Sequence, residues 1–176
     1  MTRALGAFAG LVGAVALAAC GPRPGPATGA DPSPAAAPAP ANDDDPVITL
    51  ERTPCFGSCP VYQVSIARSG LIRWEGKNHV AQPGPASAQI PSERVDSLVN
   101  ELRAGGYFDF AERYVLDAPA CGQYATDSPT VITSVTLEGG SKRIQHDYGC
   151  SGAPPELGRL ERRIDEVAGV ARWTGR

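Results

Sequence analysis

The chain has 176 residues, with 16 Lys or Arg against 19 Asp or Glu, and a formal net charge of −3. Hydrophobic residues make up 42% of the chain, and the charges are spread without a basic block. This balance argues against nucleic acid as a partner and against an electrostatic membrane patch. It fits a globular domain preceded by segments of different composition.

The first segment has the order of a secretory signal. Arg3 supplies a positive start, an apolar run covers residues 5–17, and Leu-Ala-Ala-Cys ends at Cys20. The apolar run is shorter than the about 20 residues that a membrane-spanning helix needs. This pattern is typical of an exported protein, and its end resembles the lipobox of bacterial lipoproteins. In that class the signal is cut before the cysteine, so we expect a signal peptide at 1–19 and a fatty-acylated Cys20.

The lipobox resemblance also implies a location in the cell envelope. Gly21 follows Cys20 where an Asp would imply retention at the inner membrane. We therefore expect a protein held by Cys20 in the outer membrane and facing the periplasm. Eight of the 17 prolines lie between Pro22 and Pro46, among Ala, Gly and Asp and without an aromatic residue. Such a composition predicts a disordered linker over 20–46, with Asp43 to Asp45 as its solvated end.

Residues 47–176 are predicted to form one α+β domain. Alternating apolar residues predict strands, and stripes at i, i+3, i+4 and i+7 predict two helices, one opening at Pro91 and one at Pro154. The strands are expected at 47–52, 61–66, 71–75, 131–137 and 142–148, with a short one at 79–81. The order is then β-β-β-(β)-α-β-β-α. We expect a two-layer sandwich in which an antiparallel sheet carries both helices on one face.

Four further cysteines in an exported domain favour disulfide bonds. Four cysteines allow three connectivities. Cys55 and Cys59 are close in sequence, and Gly57 lets the chain turn between them, whereas Cys121 and Cys150 flank the least regular part of the domain. The favoured pairs are therefore Cys55–Cys59 and Cys121–Cys150.

The segment from Arg52 to Tyr62 reads Arg-Thr-Pro-Cys-Phe-Gly-Ser-Cys-Pro-Val-Tyr. It resembles the signature of the domain-of-unknown-function family 6438, found in bacterial secreted proteins and lipoproteins. Gly70, Tyr107-Phe108, and a last helix with Ile164-Asp165 ending near Trp173 are similar as well. The resemblance supports one compact domain and a bond between the first two cysteines. It implies no activity, substrate or cofactor.

Three functions remain open from the sequence. The favoured one is a non-catalytic envelope module that binds another envelope protein, a glycan or a small ligand, or is structural, because the chain has no catalytic motif of known type. The alternative is thiol-redox or copper chemistry, with Cys55 and Cys59 as soft ligands and His146 as a third. A hydrolase would need scattered carboxylates to meet in space, namely Asp109, Glu112, Asp117 and Asp127. No cofactor is expected.

Overall fold

A computed structural model describes residues 42–176 of the chain. The predictions for the signal, for Cys20 and for most of the linker lie outside these residues. The strands are β1 Pro46–Arg52, β2 Val61–Ala67, β3 Leu71–Asn78, β4 Gly84–Gln89, β5 Arg113–Tyr114, β6 Thr130–Leu137 and β7 Gly140–Asp147. The helices are α1 Ser92–Ala104, α2 Pro155–Ala168 and α3 Ala171–Thr174, with a 3₁₀ turn at Tyr107–Asp109. Within the described residues, no helix has the length and apolar character to cross a membrane.

All seven of these strands join one sheet in the order β4-β3-β2-β1-β6-β7-β5. The α+β class is confirmed, but a wholly antiparallel sheet is wrong, because β5 runs parallel to β7. Tyr114 of β5 pairs with His146 of β7. This two-residue strand lies in the long irregular segment between α1 and β6, where the sequence shows no period to reveal it.

The hydrophobic core lies between one face of the sheet and the helices. Inward side chains alternate along the central strands, as Ile48 and Leu50 do in β1, and both are buried. Helix α1 contributes Val95, Leu98 and Leu102 to the same cluster. Because outward residues such as Gln63 and Ser65 in the middle of β2 are exposed or half-buried, the opposite sheet face is open to solvent.

Trp173 packs against this core just beyond α2, as its position after the apolar stripe predicts. Its ring stacks on Trp74 with centroids 5.2 Å apart, and Trp74 stacks on Tyr62 at 4.6 Å. The Trp74 indole also donates a hydrogen bond of 3.0 Å to the carbonyl of Gln82. These contacts fasten the C-terminus of the chain to β2 and β3.

The predicted short strand at 79–81 is wrong. The glycine at Gly76 indicates a turn, yet β3 continues through it to Asn78. A Cβ atom at Gly76 would lie 2.2 Å from the carbonyl oxygen of Gln82, so glycine is needed here for a close backbone approach. The turn follows instead at 79–83, where His79 is exposed and has φ of 51°. Strand β4 then begins at Gly84, with a small-residue sequence that has low strand propensity.

Asp43 and Asp44 contact the domain, in contrast to the solvated spacer that their sequence predicts. The carbonyl of Asp43 accepts a 2.9 Å bond from the backbone N–H of Ser69. The Asp44 carboxylate accepts a 2.6 Å bond from the Ser69 hydroxyl, and its carbonyl accepts one of 2.9 Å from Arg73. The contacts of the domain therefore include residues that precede Val47.

Candidate functional site

A chain of polar side chains crosses the space between helix α2 and the sheet. Arg52 ends β1 and donates from Nη2 to Oδ2 of Asp165 on α2 over 2.6 Å, and from Nε over 2.9 Å. The Tyr62 hydroxyl donates to Oδ1 of the same carboxylate over 2.8 Å. Arg52 and Asp165 are 16% and 14% exposed at their side chains. The two ends of the signature segment, Arg52 and Tyr62, are thus tied to one carboxylate.

The same chain of contacts continues through Tyr148 to β7. Nη1 of Arg52 donates to the Tyr148 hydroxyl over 3.2 Å, and that hydroxyl donates to Oε2 of Glu161 over 2.9 Å. Oε1 of Glu161 lies 2.9 Å from Nδ1 of His146. Glu161 is only 1% exposed. We call these six residues the polar chain: Tyr62, Asp165, Arg52, Tyr148, Glu161 and His146.

Burial and charge together perturb the polar chain. Burial works to lower the pKa of Arg52, but the Asp165 carboxylate outweighs it and the pKa is raised. Burial raises the pKa of Asp165, although Arg52 and the Tyr62 hydroxyl oppose the shift. Burial, aided by Asp165, raises the pKa of Tyr62, and burial with Glu161 does the same for Tyr148. The arrangement favours charged Arg52 and neutral tyrosines.

The raised pKa values of the buried tyrosines predict that the folded protein becomes less stable at alkaline pH. Tyr62, Tyr148 and the core residue Tyr107 all have a pKa raised above 10.0 in the folded chain. Unfolded tyrosines lose their protons near pH 10, whereas the folded ones keep theirs, so the free energy of unfolding decreases above that pH. We expect the urea concentration at half unfolding to decrease as the pH is raised from about 8 to about 11. The fall should be smaller in Tyr107→Phe than in the parent chain, and an unchanged midpoint would contradict the assignment.

The segment between Arg52 and Tyr62 is fastened on several sides. Cys55 is disulfide-bonded to Cys59. The backbone N–H of Phe56 donates to the carbonyl of Asp127 over 3.1 Å, and Arg176 donates to the carbonyl of Ser58 over 2.7 Å. Phe56 itself is 89% exposed. A short, cross-linked segment therefore holds an aromatic ring in solvent.

A second disulfide, Cys121–Cys150, joins the long loop before β6 to the turn after β7. Both cysteines are buried. The N–H of Gly152 donates to the carbonyl of Cys121 over 2.7 Å, and that of Ala125 to Gly149 over 2.9 Å. Disulfide bonding, expected from the cysteine count, is present in both places. The irregular segment is ordered by these backbone contacts and not by a secondary-structure period.

Both disulfides lie at one end of the sheet. Arg52 at the end of β1 pairs with Tyr62 and Val131, and Thr130 at the start of β6 pairs with Asp147 at the end of β7. Within the described residues, the large hydrophobic side chains that are exposed follow the ends of β1, β5 and β7, of which β5 runs parallel to β7: Phe56 at 89%, Leu116 at 54% and Tyr148 at 38%. We call this region the disulfide end. The described chain enters β1 at Pro46, at the opposite end, about 20 Å away along the strand.

The described residues do not gather the copper ligands or the hydrolase carboxylates into a metal-binding group. His146 contacts Glu161, and Cys55 and Cys59 are bonded to each other. In residues 42–176, no three His, Cys, Asp or Glu side chains are grouped as a metal site would require. The set of Cys55, Cys59 and His146 proposed for copper is therefore not assembled here. The four carboxylates considered for a hydrolase are likewise not gathered into such a group.

The model of the family described as "Domain of unknown function (DUF6438)" matches residues 46–168, which is more than half of the chain. The chain belongs to the DUF6438 family. No curated protein matches it. The DUF6438 match covers the whole sheet and α2, and so includes both disulfides and the polar chain.

Sequence reasoning missed the polar chain, although four of its members were in view, His146 among them as a candidate copper ligand. Arg52 and Tyr62 are the ends of the signature segment, and Asp165 belongs to the last helix of the family pattern. Glu161 falls within the apolar stripe of α2, between Leu160 and Ile164. A charged residue in a stripe that faces the core needs a buried partner, and this was the available signal.

Proposed function

We propose that this DUF6438 protein is a lipid-anchored module of the cell envelope that binds a partner protein through its disulfide end. Cys20 carries the lipid, and the linker over 20–46 connects it to the domain. The Leu-Ala-Ala-Cys sequence after an apolar run supports the anchor. The outer membrane, periplasmic side, is the location that Gly21 favours.

The observation that carries the binding proposal is the exposure of Phe56 on a fastened segment. An aromatic side chain left 89% in water contributes little to folding, yet its segment is held by a disulfide and two hydrogen bonds. Such a ring loses little conformational freedom on binding, and rigid aromatic anchors account for much of the energy of protein interfaces. Leu116 and Tyr148 add apolar surface at the same end.

A non-catalytic role is supported by the position of the polar chain. Its carboxylates, Glu161 and Asp165, are bonded to Tyr148, Tyr62 and Arg52 beneath α2. A groove of about 820 Å³ lies elsewhere, on the open sheet face. The polar chain is therefore suited to stabilising the disulfide end, because it joins α2 to the strand ends at which that region lies.

Partner binding is testable in intact cells. A photoreactive amino acid at Ser58, beside Phe56, should give one discrete protein adduct on irradiation. Adding Phe56→Ala should abolish the adduct while changing the free energy of unfolding by no more than about 0.5 kcal/mol, as exposed substitutions do. The same photoreactive residue at Arg68, which is exposed at the opposite end, is the control. Equal adducts from both positions, or none from Ser58, would refute the proposal.

The anchor is tested separately from the partner. Cys20→Ser should abolish labelling by radioactive palmitate and move the protein from the membrane to the soluble fraction. Cys59→Ser, which leaves the lipobox intact, is the matched control and should keep the label. A wild-type protein that takes up no label and fractionates as soluble would show that Cys20 is not lipidated.

A further inference from the structure

The open face of the sheet forms a groove of about 820 Å³. It lies on the opposite face from the helices and does not involve the disulfide end. Side chains that line it come from β1, β2, β3, β4, β6 and β7. In the row that runs through Thr49 and Ser65 the central side chains are short, and Arg73 and Arg143 to either side of them are long.

One row of side chains across this face has a distinct composition. The strand register places Arg73, Ser65, Thr49, Ser134 and Arg143 side by side on five successive strands. This row therefore has a guanidinium group at each end and three hydroxyl side chains between them. Four strand spacings separate the two arginines, or about 19 Å between their Cα atoms.

The charges in the groove favour an anion. Within residues 42–176, neither Arg73 nor Arg143 forms an ion pair, and both are exposed. Arg73 does donate to the carbonyl of Asp44 over 2.9 Å, which holds it in place without neutralising it. Glu51, in the neighbouring row, is neutralised by Lys77 at 2.9 Å and accepts a bond from Gln63 at 3.0 Å.

The remaining groups restrict which anion fits. Glu75 also lines the groove and has no ion-pair partner among the described residues, so a densely charged polymer would meet repulsion there. The outward apolar side chains of the lining are Pro85 and Ile132, which offer no pocket for the side chains of a peptide. Hydroxyl and amide groups, in contrast, suit a ligand rich in hydroxyls with acidic groups spaced apart.

We propose that the open sheet face binds an acidic oligosaccharide, with Arg73 and Arg143 each holding a carboxylate and the hydroxyl row between them contacting the sugars. Arginine pairs with a carboxylate through two parallel hydrogen bonds, which fixes the register of the ligand on the row. The site is separate from the disulfide end, so one protein could hold an oligosaccharide and a partner protein at the same time.

The test is a binding titration of the full-length protein in a non-ionic detergent without a sugar headgroup. The probe is tetragalacturonate, with its uncharged methyl ester and tetraglutamate as comparisons. We expect saturable binding of tetragalacturonate that weakens with added salt. Arg73→Gln and Arg143→Gln should each weaken it about tenfold, as expected for a lost hydrogen bond to a charged group.

The matched control is Arg162→Gln, an exposed arginine on α2 whose removal changes the net charge equally. It should bind tetragalacturonate like the parent chain, and so should Phe56→Ala. The proposal is overturned if tetragalacturonate does not saturate, if the methyl ester binds as tightly, or if the groove variants bind normally. Equal or tighter binding of tetraglutamate would overturn it too, in favour of an acidic peptide.

Discussion

Replacing Cys121 and Cys150 together with alanine is expected to lower the free energy of unfolding by about 3.6 kcal/mol. The bond joins residues 29 apart, so its loss frees a long loop in the unfolded chain. It also holds a segment whose only strand has two residues. Urea unfolding of the oxidised parent and of the double variant measures the difference.

The bond between Cys55 and Cys59 is the internal comparison. Its residues are only 4 apart, and the same loop-closure model gives about 2 kcal/mol. Cys55→Ala with Cys59→Ala should therefore cost less stability than the Cys121 and Cys150 pair. If the short ring proved the more stabilising of the two, its contacts with Asp127 and Arg176 would have to outweigh the loop-closure term.

Arg52→Met is expected to lower the free energy of unfolding by about 3 kcal/mol at neutral pH, because it leaves Asp165 buried without its cation. Three hydrogen bonds from Arg52 to Asp165 and Tyr148 are lost together. The unpaired carboxyl then gains a proton more readily, so the loss should shrink as the pH falls toward about 4.

Two controls separate this effect from a general loss of charge. Adding Asp165→Leu to Arg52→Met removes the stranded carboxylate and should recover part of the stability. Lys77→Met breaks an ion pair with Glu51 whose side chains are 41% and 29% exposed, and should cost less than about 1 kcal/mol. Equal effects of Arg52→Met and Lys77→Met would show that Asp165 is not stabilised by Arg52.

The parts of this fold that sequence alone reveals are those with a strong period. Helices α1 and α2 have clear apolar stripes between Pro and Gly signals, and β1, β2 and β6 alternate or are β-branched. Strand β4 was not predicted because its small residues show no alternation of apolar and polar side chains. It is held by pairing with β3, as between Ala86 and Trp74, and pairing partners cannot be read from a local window.

The candidate site also has some features that the sequence reveals and others that only the folded structure reveals. The cysteines are visible as residue types, and their sequence separation favours the pairs that the structure contains. The polar chain joins Arg52 to Asp165, 113 residues away, so only the folded topology reveals it. The open-face row is also a product of register, since Arg73 and Arg143 lie in one row of one surface only after five strands align.

The two borders of the sheet have a consequence for how copies of the protein behave near one another. At one border, β5 offers only two residues of backbone, and at the other, β4 contains Pro85, which has no N–H to donate. Short or proline-bearing edge strands disfavour the edge-to-edge pairing that leads to aggregation. The lipid anchor proposed at Cys20 would concentrate copies of the protein at a membrane, and the blunted borders of the sheet would disfavour edge-to-edge pairing between them there.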